Sequence, residues 1–160
     1  MHTAAAPRPH LLFQLGSEAY AVEVSAVREI IEYHGSTEVP LMPPHLKGVI
    51  NLRGRVVPVV DLSSRFGRGA TEVTRRTSVV ILERQHPTLG LQAIGVLVSA
   101  VTEVIELAEG QVERPPAFGA AIRERFIAGI ARHASRLIVM LDLSEVLAFD
   151  ELASLDARAA

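Results

Sequence analysis

The amino-acid sequence predicts an all-β fold with short helices, arranged as two small barrels. Two features carry that fold class. Short runs rich in Val, Ile and Leu recur along the chain, each bounded by a turn containing glycine, proline or a polar residue, which is the pattern of a sandwich or barrel. The pattern also occurs twice. AVEVSAVREIIE (residues 21–32) aligns without gaps to GVLVSAVTEVIE (95–106) at an offset of 74, with eight of twelve residues identical. GVINLRGRVVPVVDLS (48–63) aligns to GIARHASRLIVMLDLS (129–144) at an offset of 81, matching Gly48 to Gly129, Arg55 to Arg136 and the closing DLS. Two blocks in the same order indicate a duplication whose second copy carries a longer intervening loop. A duplicated set of short strands argues for two barrels.

Taken in order, His10–Leu15 and Ala19–Val24 form a hairpin around Gly16-Ser17, and Ser78–Glu83 with Leu91–Val98 repeat it around QHPTLG. Each hairpin is followed by SAV-x-E-x-IE, which is too short for periodicity to separate a helical turn from a further strand. Lys47–Leu52 and Arg55–Val60 make a second hairpin, mirrored by Ile127–Arg132 and Arg136–Leu141. Gly54 can adopt the positive φ that a tight turn demands. Pro58 cannot donate to a ladder, so its strand is expected at a sheet edge or at a bulge. Helix is confined to short pieces after DLS and to the C-terminal LSEVLAFDELASL, where Leu143, Val146 and Leu147 repeat at helical spacing. GRGATEVTRR (67–76) is polar and lies between the copies, as a linker would. Residues 1–9 read as a flexible tail and 150–160 as a C-terminal tail. Between them, 10–149 form one domain of two subdomains, approximately 10–66 and 77–149, with strands free to cross between them.

Composition bounds the function. A chain of 160 residues, 49% hydrophobic and 21% charged, has a globular balance and room for one ordinary domain or two very small ones. The formal net charge of −2 gives no electrostatic reason to expect nucleic acid. The absence of cysteine excludes disulfides, thiolate metal sites and a cysteine nucleophile, and suits the cytoplasm. MHTAAAPRPH has no apolar core for a signal peptide. The most apolar segment, LQAIGVLVSAVTEVIEL (91–107), is interrupted by Gln92, Thr102, Glu103 and Glu106 and is too short and polar to span a bilayer. A soluble cytoplasmic protein without membrane insertion is expected.

No enzyme signature is present. The histidines (His2, His10, His34, His45, His86 and His133) fall in tails and turns at no metal-ligand spacing, and neither G-x-S-x-G nor G-x-x-x-x-G-K occurs. No cofactor or metal is expected, and no catalytic residue. Small barrels also bind single-stranded nucleic acid through basic grooves and stacking aromatics, but aromatics make up only 4% of this chain and are scattered. What remains is a β scaffold whose edges and inter-barrel groove bind other proteins.

The quoted segments resemble the CheW family of chemotaxis coupling proteins, from about His10 to Phe149. VPLMPPHLKGVINLRGRVVPVVDLSSRF carries the family's P-x-x-x-K/R-G-V-x-N-L-R-G-x-x-x-P-V-x-D-L run, and LLFQLGSEAYAVEVSAVREII, IGVLVSAVTEVIEL and LIVMLDLSEVL fit as well. The resemblance implies two five-stranded barrels of the Src-homology-3 type packed around a shared hydrophobic core, and no enzymatic activity. It implies an adaptor, located in the cytoplasm at chemoreceptor arrays, that bridges the cytoplasmic tips of methyl-accepting chemoreceptors to the histidine kinase CheA. The kinase's regulatory domain would meet it barrel to barrel, and a groove would take the receptor's helical hairpin. A scaffold of a non-flagellar chemosensory pathway is the alternative within the family.

By match to family positions, Val27, Glu29, Gly48 and Arg53 fall where coupling is sensitive, and Gly95, Val101 and Val104 fall in the corresponding part of the second copy. Each also has a plain structural reading. The three valines suit a core, the two glycines suit backbone geometry, and Glu29 and Arg53 suit a solvated surface. The second copy has His133-Ala134-Ser135 where the first has Leu52-Arg53-Gly54, so the two halves are not expected to have interchangeable roles.

Overall fold

The computed structural model describes residues 6–43, 45–88, 90–114 and 126–143. The first hairpin is β1 (Arg8–Leu15) and β2 (Glu18–Glu23). A single 3-10 turn at Val24–Ala26 leads into β3 (Val27–Glu32), so the ambiguous SAV-x-E-x-IE of the first copy is a turn followed by a strand. β4 (Leu46–Leu52) and β5 (Arg55–Asp61) form the next hairpin, and α1 (Leu62–Arg65) follows DLS. The second copy gives β6 (Ser78–His86), β7 (Gly90–Val98) and β8 (Ala100–Leu107), then the two-residue β9 (Val112–Glu113), and finally β10 (Ile127–His133) and β11 (Arg136–Leu141). The expected helix in LSEVLAFDELASL lies, beyond Leu143, outside the described residues.

These strands make two sheets, ordered β8-β1-β2-β11-β10-β9 and β3-β6-β7-β5-β4. Apart from β9, exchanging β1, β2, β3, β4 and β5 for β6, β7, β8, β10 and β11 turns one order into the other. The duplication is therefore a structural one, and it is exchanged. Each sheet is built on the opening hairpin of one copy and takes its other long strands from the other copy. The sheets accordingly do not divide at 10–66 and 77–149.

The equivalence extends to register. The parallel pairing of Met140 with Ala21 matches that of Val59 with Gly95. Four bulges also come in equivalent pairs. Arg28 and Thr102 interrupt β3 and β8, and Lys47 and Ala128 interrupt β4 and β10, each with two residues facing one.

Alternation along the strands sorts the aliphatic residues into three clusters. Leu12, Ala21, Ile105, Leu107, Ala131 and Ile138 fill the interior of the six-stranded unit, and Val57, Val59, Val79, Ile81 and Leu97 fill that of the five-stranded one. The residues between them in sequence point the other way. Leu11 and Phe13 of β1, Val80 and Leu82 of β6, and Ile94, Val96 and Val98 of β7 form a third core between the two units. Strands buried on both faces read as continuous apolar runs, which is why VVIL and AIGVLV show little alternation. Fully burying one such side chain contributes roughly 1.5–3 kcal/mol, so the shared core binds the two barrels firmly together.

Two expectations change. β5 is not an edge, since it lies between β7 and β4. Pro58 is tolerated there because Val49, opposite it, directs its N–H and C=O away to Thr37 (2.9 Å each), so Pro58 also faces away from β4. Pairing with β7 begins only at Val59, leaving no ladder bond for Pro58 to miss. The polar stretch 67–76, expected as a simple linker, is pinned to the barrel. Asp61, 1% exposed, accepts from the Thr71 backbone N–H at 2.8 Å and from the Thr71 hydroxyl at 2.6 Å, and it also caps α1 through Ser64 N–H.

Candidate partner-binding surface

The NLRG stretch forms a two-residue hairpin turn between β4 and β5. Arg53 (φ 50) and Gly54 (φ 84) both lie in the left-handed region, as a type I′ turn requires. Asn51 Oδ1 accepts the Gly54 N–H at 2.8 Å, so the asparagine serves the turn. Leu52 packs against the barrel interior, which leaves Arg53 as the one side chain of the motif displayed to solvent and paired with another strand. Its guanidinium donates to Glu29 on β3, and the side chains are 70% and 24% exposed respectively. β3 and β4 are the two edges of the five-stranded sheet, so this ion pair draws the end of the β4–β5 hairpin onto the opposite edge.

The same barrel displays groups that the motif alone does not single out. Arg28, at the bulge, pairs with Glu83 at 2.9 Å. Ile30 and Val56 are 43% and 74% exposed on β3 and β5. The equivalent positions of the other barrel hold Val104 and Leu137, 58% and 62% exposed, and there Glu103 and Arg136 approach to only 3.9 Å. Ile30, Val56 and Leu137 were within reach of the sequence. The duplication aligns Ile30 with Val104 and Val56 with Leu137, but exposure is needed to tell an outward aliphatic side chain from a core one.

The structure divides the residues singled out from the sequence. Glu29 and Arg53 are joined. Val27 opens β3 and turns inward against the shared core, as does Val101, which pairs with Phe13 of β1. Gly48 is buried at the β4 bulge with φ 140, where a Cβ would overlap the Thr37 carbonyl oxygen. Gly95 is also buried. A Cβ there would come within 2.7 Å of Val79 Cγ1 and 3.3 Å of Val59 Cγ2 in the barrel interior. The glycines and the inward valines thus shape the scaffold, while Glu29, Arg53 and Val104 face outward or lie at the surface. The turn of the second copy lacks glycine but keeps the conformation, with Ala134 and Ser135 at φ 50 and 65. Among the described residues no group of three or more His, Asp or Glu side chains is placed to hold a metal ion, and no helix is long and apolar enough to cross a membrane.

A family model described as the CheW-like domain matches residues 9–151. The chain belongs to the CheW-like family. The chemotaxis protein CheW of Klebsiella aerogenes is 30% identical over 146 residues, covering 91% of this chain and 85% of that protein. The CheW of Bacillus subtilis is 30% identical over 137 residues, covering 86% and 85%. The crystal structure of the scaffolding protein TtCheW from Thermoanaerobacter tengcongensis superposes with a TM-score of 0.79 at 32% identity, covering 94% of each chain. The two exchanged sheets are thus the paired Src-homology-3-type barrels of CheW proteins, and the chain is an adaptor of the chemotaxis type.

Proposed function

We propose that this protein is a non-enzymatic adaptor that couples the cytoplasmic tips of chemoreceptors to the histidine kinase CheA, and that it works in the cytoplasm at chemoreceptor arrays. The observation that carries the reading is the set of outward aliphatic residues repeated at equivalent positions of both barrels, Ile30 and Val56 on one, Val104 and Leu137 on the other, in a molecule of the CheW-like family. Contacts of this kind have an aliphatic centre that loses its water and a charged rim. The Glu29–Arg53 pair supplies a rim at one barrel and the Glu103–Arg136 approach a looser one at the other. Val27, Gly48, Gly95 and Val101 support these surfaces from behind, and Val104 takes part directly.

Reconstitution tests the proposal. Adding the protein to cognate receptor and kinase raises kinase autophosphorylation above that of receptor plus kinase alone, and no rise refutes coupling. Kinase affinity, carried by aliphatic contact, weakens little between low and moderate salt. A pull-down with the receptors and kinases of the source genome identifies whether the pathway is flagellar or another chemosensory system.

A further inference from the structure

A cavity of about 350 Å³ opens between the end of α1 and the six-stranded sheet. That volume lies within the usual range for small-molecule sites, about 300–1,000 Å³. Its walls are apolar, formed by Tyr20, Phe66, Phe126, Ile127, Val139 and Leu141. The three rings form a continuous run, Tyr20 to Phe66 and Phe66 to Phe126 both having centroids 5.9 Å apart. Arg65 lies over the Phe126 ring, 4.7 Å from its centroid.

The polar groups are few and paired. Glu18 of β2 and Arg68 beyond α1 also line the cavity, ion-paired with each other and each about half exposed. The Tyr20 hydroxyl donates to the second Glu18 oxygen at 2.8 Å. Desolvation pushes the Glu18 carboxyl up, but the hydrogen bonds from Arg68 and Tyr20 outweigh it and hold the group below its ordinary value. Burial, then the bond to Glu18, pushes the Tyr20 phenol up to about 12, so it remains a donor at neutral pH. An apolar cavity thus carries the Glu18 carboxylate and the Arg68 guanidinium side by side, with the Arg65 guanidinium, also part of its lining, set over the Phe126 ring.

This arrangement selects among ligands. A simple carboxylate would gain Arg68 but bring its charge against Glu18, and a simple amine would meet Glu18 but face Arg68. A molecule with both charges on one carbon satisfies both, replacing one surface ion pair with two charge-assisted hydrogen-bonded pairs. The half-exposed pair it displaces is worth little, so opening it costs little. We propose that this cavity binds a zwitterionic α-amino acid with an apolar side chain, its carboxylate on Arg68, its ammonium on Glu18 and its side chain among the three rings. Residues 65–68 follow β5 of one barrel, whereas the remaining wall belongs to the sheet of the other. A bound ligand therefore bridges the two units.

The test uses the full chain with L-phenylalanine and L-leucine as probes, beside 3-phenylpropionate and phenylethylamine, which each lack one charge. Amide chemical shifts in a ligand titration and thermal melts report binding. Saturable shifts confined to the cavity walls are expected for the amino acids, with a rise in melting temperature. Loss of either charge on the probe weakens binding by about tenfold or more, as does Arg68→Ala or Glu18→Gln, two partly exposed positions where folding is preserved. Val139→Met, which fills the cavity, abolishes it. Absence of saturable shifts up to about 10 mM probe overturns the proposal. Equal binding of 3-phenylpropionate or phenylethylamine overturns it as well, as do shifts that map elsewhere.

Discussion

Replacing Arg53 by glycine separates a partner contact from a structural one, because the turn geometry gives the substitution an unusual energetic balance. Arg53 holds φ 50, a left-handed conformation that costs a residue with a Cβ roughly 1–2 kcal/mol. Glycine removes that cost, and its added freedom in the unfolded chain returns about 0.5–1 kcal/mol of it. The ion pair to Glu29 is also lost. With Arg53 70% exposed, that pair is worth at most a few tenths of a kcal/mol. The terms nearly cancel, so Arg53→Gly is expected to unfold within about 0.5 kcal/mol of wild type in urea. Arg53→Ala keeps the backbone strain and loses only the pair, so it falls below wild type by no more than a few tenths of a kcal/mol. Kinase coupling by the reconstituted complex falls severalfold in both variants. Arg53→Lys keeps the charge, loses the planar fork and couples at an intermediate level. A loss of more than about 2 kcal/mol in Arg53→Gly would make Arg53 a structural residue. Full coupling by that variant would remove Arg53 from the partner surface.

Three further outcomes follow from the packing and the charges. Gly95→Ala places a methyl 2.7 Å from Val79 Cγ1, so it lowers stability by about 1–3 kcal/mol in chemical denaturation while leaving the outward residues untouched. Asp61→Ala strips Thr71 of its buried acceptor for both N–H and O–H and costs about 2–3 kcal/mol, with faster hydrogen exchange expected across residues 67–76. Burial, followed by the bond to Glu18, raises Tyr20 from 10.0 to about 12 in the folded chain. The unfolded chain therefore releases the phenolic proton first, and the stabilisation present below pH 10 is lost as pH rises through about 12. Melts across that range show a decline that Tyr20→Phe flattens.

Much of the fold was legible because the duplication and the turn residues are local signals. The hairpins of both copies appear within a few residues of where the aliphatic runs and the Gly-Ser and Arg-Gly turns place them. That strands could cross between the units was allowed for, but which ones cross was not legible. It depends on which edge each hairpin chooses, and Val-rich strands buried on both faces fit either neighbour. Pro58 misled for a related reason. A proline excludes a ladder bond on only one side, and nothing local says that β7 begins pairing one residue later. At the candidate surface, the tight turn of NLRG was readable from Gly54, while its I′ type rests on the positive φ of Arg53. The pairing of Arg53 with Glu29 joins residues 24 positions apart in sequence, which no local signal connects. Of the outward aliphatic residues only Val104 was singled out; the duplication aligns the others, but Ile30 and Ile31 differ in exposure and not in chemistry.

The exchange also bears on how such a scaffold can transmit anything. If each copy formed its own barrel, the two would be joined by the single stretch 67–76, and could pivot. Here the chain passes from the six-stranded sheet to the five-stranded sheet between β2 and β3, and it passes back between β7 and β8. Both crossings run beside the shared core of Phe13, Tyr20, Val96 and Val98. A third attachment comes from Arg68, which leaves the five-stranded side to pair with Glu18 on β2. Tilting one barrel against the other would therefore disturb two short covalent crossings and a packed core together, the half-exposed ion pair adding little. Packed interiors yield in discrete steps and resist continuous bending. The outward residues of the two barrels are thus held at a fixed separation and angle, so partners bound at both surfaces, as proposed above, would be held in a fixed relation without any change in the adaptor itself.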